Sequence, residues 1–136
     1  MSRLGAAFGI LVLAQAAHSI EEYAGRLWEG FPPARLVSGL FSSNLERGFL
    51  IANALLLGFS LWWWIWPVRR RWPSAIALGW FWVTIELVNG IGHSLWSLTR
   101  GRYTPGLATA PLLLGSAIYL ATQLGRAGRE AHPVIR

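Results

Sequence analysis

Four long apolar stretches divide the chain, and each ends at arginines or at a proline–glycine break. Residues 4–23, 45–66, 74–98 and 106–124 run for roughly the 20 residues that a helix needs to cross a bilayer. Residues 25–43 break the pattern with Trp28, Phe31, Pro32, Pro33, Arg35, Leu36 and Phe41. The paired prolines forbid a continuous helix there, and the scattered aromatics suit a segment lying at the lipid–water boundary. The pattern predicts an all-α fold: an integral membrane four-helix bundle, one domain over residues 1–136, with a short interfacial segment between helices 1 and 2. Arg3, a short apolar run and Ala14-Gln15-Ala16 also match a cleavable signal peptide. The helical pattern nevertheless continues through His18, Glu21 and Glu22 to Gly25.

Composition supports the bilayer. The chain is 54% hydrophobic and 13% charged, against roughly 25% charged for a soluble domain. With no cysteine, disulfides, thiolate metal sites and cysteine nucleophiles are excluded. The net charge of +6 comes from arginine alone, without lysine, and the arginines sit at segment ends. That distribution fits topology signals and anionic headgroups, so membrane lipid is an expected partner and nucleic acid is not. With four spans, Arg3, Arg69–Arg71, Arg126, Arg129 and Arg136 place 7 arginines on one face, against 5 (Arg26, Arg35, Arg47, Arg100, Arg102) on the other. The bias predicts a cell (inner) membrane protein with both termini cytoplasmic. Trp62-Trp63-Trp64 and Trp66 before Pro67 read as an interfacial belt, and His132 in the tail reads as solvated.

The informative residues are the ionisable groups inside apolar stretches. A charge at a helix centre costs roughly 2.5–3.5 kcal/mol on insertion scales, so such groups face the bundle interior and are functional candidates. The first stretch carries His18, Glu21 and Glu22, and the third carries Glu86, Asn89 and His93. At about 100° per residue, Glu21 and Glu22 flank His18 within an arc of roughly 100°, and Gln15 lies one turn earlier. Glu86, Asn89 and His93 span an arc of about 60°. Each helix has one polar stripe, at matching depth, and the stripes are expected to face each other.

His18-x-x-Glu21-Glu22, Asn89-x-x-x-His93 and Tyr103-Thr104-Pro105-Gly106 occur in that order. Together they resemble the HXXEE family of small membrane proteins over nearly the whole chain. The resemblance implies a polytopic membrane protein with a suspected catalytic centre and implies no particular activity.

Three functions fit these residues. The first is metal-free acid/base catalysis, an isomerisation or cyclisation of an apolar small molecule, by His18, Glu21, Glu22, Glu86, Asn89, His93 and Tyr103. Trp82 and Trp96 are candidates to face a developing cation. The second uses the same ligand types for a divalent metal, held by His18, Glu22, Glu86 and His93, in a hydrolase or oxidase. The third is a non-enzymatic proton relay or small-ligand site. The bland alternative is a salt-bridged core that only fixes helix register. Within the set, Glu21 is a candidate partner for Arg26, Asn89 for His93, and Glu46 for Arg47. A polar pocket open at one end, rather than a channel, is expected because the other half is almost purely apolar.

Overall fold

The computed structural model describes residues 2–131, and among these it is helical with no strand. His132 and Arg136 of the tail lie outside the described residues. Helix α1 is Arg3–Ala24, started by Ser2, whose hydroxyl accepts the Gly5 N–H at 3.1 Å. Helix α4 is Leu45–Trp63, capped by Asn44 on the Arg47 N–H at 2.9 Å. It continues into a π-helical turn, Trp64–Val68, that contains Pro67. Helix α5 is Ala75–Arg100 and helix α6 is Ala110–Ala131.

Two boundaries differ from the sequence pattern. The expected interfacial segment is itself helical, as α2 (Leu27–Gly30) and α3 (Pro32–Phe41). The prolines break the path only once, because they occupy the first turn of α3, where an amide hydrogen has no partner to lose. The last helix begins at Ala110 rather than at 106, since residues 105–109 form the turn that enters it.

Three helices are long and apolar enough to cross a membrane: Arg3–Ala24, Leu45–Val68 and Ala75–Arg100. Helix α6 is not among them; Gln123, Arg126 and Arg129 interrupt its second half. Its Ala110, Leu113, Ala117, Leu120 and Leu124 recur every three or four residues and are buried, so one stripe of α6 faces the bundle. Helix α6 packs on both α5 and α1, α1 also packs on α4, and α3 folds back along α4. A core of Phe8, Leu11, Trp82, Val83, Leu120 and Leu124 fills the middle. Trp82, considered above for cation stabilisation, is packing material: it stands edge-on to Phe8 at 6.5 Å and lies tilted beside Phe59 at 6.0 Å.

The return of α3 along α4 requires a glycine. A Cβ at Gly48 would fall on the backbone carbonyl of Ser38, whereas one at Gly58 would meet nothing within 4 Å. Gly48→Ala is therefore expected to destabilise the protein by about 1–3 kcal/mol through overpacking. Gly58→Ala should be neutral or stabilise by up to ~1 kcal/mol. Thermal unfolding of both variants in one detergent checks this, and equal midpoints would contradict the close crossing.

Candidate functional site

The residues of the site come from two helices and one loop. His18 and Glu22 are four apart on α1, one above the other, and His93 reaches across from α5. All three are buried, His18 completely. Glu22 Oε1 is the shared point, 2.9 Å from His93 Nε2 and 3.3 Å from His18 Nε2. The two imidazoles stand nearly perpendicular, with ring centroids 4.7 Å apart. Phe31 covers His93 at 5.6 Å and lies tilted against Trp96 at 4.5 Å, which gives Trp96 a packing role.

The outer nitrogens fix the tautomers. His93 Nδ1 lies 2.7 Å from the Pro105 carbonyl, which can only accept, so Nδ1 carries hydrogen. His18 Nδ1 lies 2.7 Å from Thr109 Oγ1. That hydroxyl donates its one hydrogen to Glu21 Oε2 at 2.6 Å, so it accepts from His18. Both rings thus donate from Nδ1. When neutral, both present an Nε2 lone pair to the Glu22 carboxylate.

Glu21 makes this possible. It accepts the Tyr103 hydroxyl, the backbone N–H groups of Gly106, Ala108 and Thr109, and the Thr109 hydroxyl. A carboxylate here satisfies amides at the entrance of α6 that would otherwise be orphaned, at the end of the helix where negative charge is favoured. Gly106, at φ 93, has no Cβ because the His93 ring occupies that space. The Tyr103-x-Pro105-Gly106 motif therefore builds a clamp: the tyrosine binds Glu21, the proline carbonyl orients His93, and the glycine admits the ring.

Several expected pairings change. Arg26 pairs with Glu29 at 2.8 Å, not with Glu21, because Glu21 is committed to the loop. Glu46 accepts the Tyr23 hydroxyl at 2.7 Å, with no Arg47 contact. Asn89 lines the cavity beside His93 but is not its partner, since both ring nitrogens are already engaged. Glu86 lies outside the cluster whose ligand atoms all fall within 4.8 Å, which is His18, Glu22 and His93.

Glu86 instead ends a second polar chain. One end of the Gln15 amide lies 2.7 Å from Glu86 Oε2, and the other lies 3.1 Å from Ser19 Oγ. Ser19 donates to Asn53 Oδ1 at 2.6 Å, and Asn53 Nδ2 donates to the Phe49 carbonyl at 3.1 Å. The amide is assigned with its NH₂ on Glu86, donating to Oε1 at 3.1 Å and Oε2 at 2.7 Å, and with its carbonyl toward the Ser19 hydroxyl.

A cavity of about 420 Å³ opens beside the centre, reached by Glu22, His93, Asn89, Gln15 and Asn53. Its walls are Leu27, Phe31, Val37, Phe41, Phe49 and Leu56, contributed by α2, α3, α4 and the link before α3. The buried Ser38 hydroxyl also lines it and has no partner among the described residues. Sequence reasoning missed Ser38 and Thr109. Neither has a spacing signal, since their roles arise from the α3–α4 crossing and the entrance of α6.

Two predictions follow from this bonding. Gln15→Leu should strip Glu86 of both amide hydrogen bonds and lower stability by about 1–3 kcal/mol, and an unchanged thermal unfolding midpoint would refute that contact. The hydrogen bond to Glu21, then burial and the carboxylate charge, push the Tyr103 phenol up from 10.0 to about 12. A raised value means that its stabilisation is complete below about pH 10 and fades as the pH passes about 12. Tyr103→Phe should unfold more easily at neutral pH and lose less stability over that window, as measured by thermal unfolding against pH.

Neither a curated protein nor a solved structure matches the chain. A family model described as a protein of unknown function with an HXXEE motif matches residues 9–120, which contain every residue of the centre and of its clamp. The chain belongs to that HXXEE family.

Proposed function

We propose that the protein is a multi-span membrane enzyme that holds one divalent metal ion between His18, Glu22 and His93 and uses it to activate water. Helix α6 is the fourth span in this reading, with the stripe of Ala110, Leu113, Ala117, Leu120 and Leu124 set against α1 and α5. Two histidines and a carboxylate, with a fourth position open to solvent or substrate, are the donor set of catalytic zinc. Atoms bound at 2.0–2.1 Å in a tetrahedron stand roughly 3.3 Å apart, beside the 3.3 and 2.9 Å observed.

The observation that carries the reading is the direction of the hydrogen bonds. Both Nδ1 atoms donate outward, to a backbone carbonyl and to a threonine backed by a carboxylate, as the second shell of metal-bound histidines does. Both lone pairs then converge on Glu22 with nothing to share. A divalent ion satisfies all three groups at once, whereas a proton satisfies one pair. This favours the metal over the metal-free acid/base alternative.

Bound zinc lowers the pKa of its water to about 7. The adjoining cavity, walled by leucine, valine and phenylalanine, suits an apolar substrate arriving from the bilayer. Asn53, Asn89 and Ser38 are placed to hold its polar group. Hydrolysis of a lipid-soluble ester or amide is the reaction this combination supports best. Glu21 and Tyr103 act as positioning residues.

Elemental analysis of the detergent-purified protein tests the reading. One zinc per chain is expected in the wild type, lost in His18→Ala and His93→Ala and retained in Glu86→Gln. Iron in place of zinc would move the chemistry to oxidation. Absence of stoichiometric metal from the folded wild type, after growth with zinc and iron supplied, would return the site to acid/base chemistry.

A further inference from the structure

The opposite end of the bundle holds a second cavity, of about 510 Å³, that the His/Glu centre does not use. Arg3 from the first turn of α1, Arg71 from the link before α5, and Arg126 from α6 all line it. The walls of the same cavity include Val68, Ile76 and the half-exposed Trp72. Its lining thus combines cationic and apolar side chains. Helices α1 and α5 both begin in its wall, so the positive ends of two helix dipoles add to the three guanidinium groups.

The local backbone is unusual where the cavity is built. The π-helical turn Trp64–Val68 widens the end of α4, a feature often found at functional sites. Arg71 follows at φ 55, in the left-handed region. Its N–H bonds the Val68 carbonyl, and the Trp72 N–H bonds the Pro67 carbonyl at 2.9 Å. Such a helix-ending turn ordinarily takes glycine. Retaining arginine in a strained position points to a role for its side chain. Among the described residues, neither Arg3 nor Arg71 is paired with a carboxylate.

We propose that this cavity binds a phosphate group, with Arg3, Arg71 and Arg126 as its ligands. Guanidinium groups match phosphate oxygens in geometry as well as in charge. The apolar wall of Val68 and Ile76 suits the chains of a phospholipid, and the exposed Trp72 sits as an interfacial tryptophan does. Arg26, Arg100 and Arg102 line another cavity of similar volume, but there Glu29 also lines the wall and pairs with Arg26, whereas no carboxylate lines the cavity of Arg3, Arg71 and Arg126.

The test uses the full chain in a neutral detergent and three probes: short-chain phosphatidylglycerol, diacylglycerol with the same chains, and inorganic phosphate. Binding is read from the rise in unfolding temperature with ligand concentration. Phosphatidylglycerol should stabilise the wild type and diacylglycerol should not. Arg126→Gln should weaken phosphatidylglycerol binding by about tenfold, the loss of one charge-assisted contact.

Arg71→Gly gives the sharper readout. It should weaken binding similarly while raising the unfolding temperature without ligand, because glycine relieves the left-handed strain. Opposite signs separate a ligand-binding arginine from a structural one, and the variant is expected to fold. If inorganic phosphate binds as tightly as the lipid, the phosphate site stands and its source is the soluble ion. Equal binding of diacylglycerol, or unchanged affinity in both arginine variants, would overturn the proposal.

Discussion

The carboxylate of Glu21 is the contact on which the arrangement depends. Near the end of α1 it gathers five donors from residues 103–109, a segment far along the chain. Each charge-assisted hydrogen bond of this kind contributes about 1.5–3 kcal/mol where it is shielded and less where water reaches it. The same segment carries the Pro105 carbonyl and the Thr109 hydroxyl, so anchoring it orients both imidazoles. The direction of every proton in the cluster then follows. Thr109 must donate to Glu21, His18 must donate to Thr109, and His93 must donate to Pro105. What remains is two Nε2 atoms facing Glu22.

Much of this was legible in the sequence, for a definable reason. Apolar runs and their arginine ends report solvent preference residue by residue, so the long helices were predicted close to their observed bounds. Helical periodicity put His18 and Glu22 on one face of α1 and His93 on one face of α5, and the two stripes do meet. Periodicity states which way a side chain leaves its own helix; it does not state what waits there. Glu21 and Glu22 are adjacent and chemically identical, yet about 100° of rotation sends one to the α6 entrance and the other to the histidines. Glu86 was read as a candidate ligand because its stripe contains His93, but it falls outside the cluster and meets the Gln15 amide instead. The Asn89–His93 pairing failed because the true partner is a backbone carbonyl, which every residue possesses. The helical nature of α3 was missed because two prolines read as a breaker, although the first turn of a helix tolerates both.

The middle of the bundle bears on function as much as its ends do. Between the Gln15–Glu86 level and the arginine end, the interior is Phe8, Leu11, Trp82, Val83, Leu120 and Leu124. No ionisable side chain among the described buried residues continues from Glu86 toward Arg3. A proton relay across the bundle needs successive titratable groups, and the described buried residues hold none between these levels. The polar centre is a pocket open at one end, and the two ends are separate compartments chemically. A reaction that consumes water can then draw it from one side without a leak through the core.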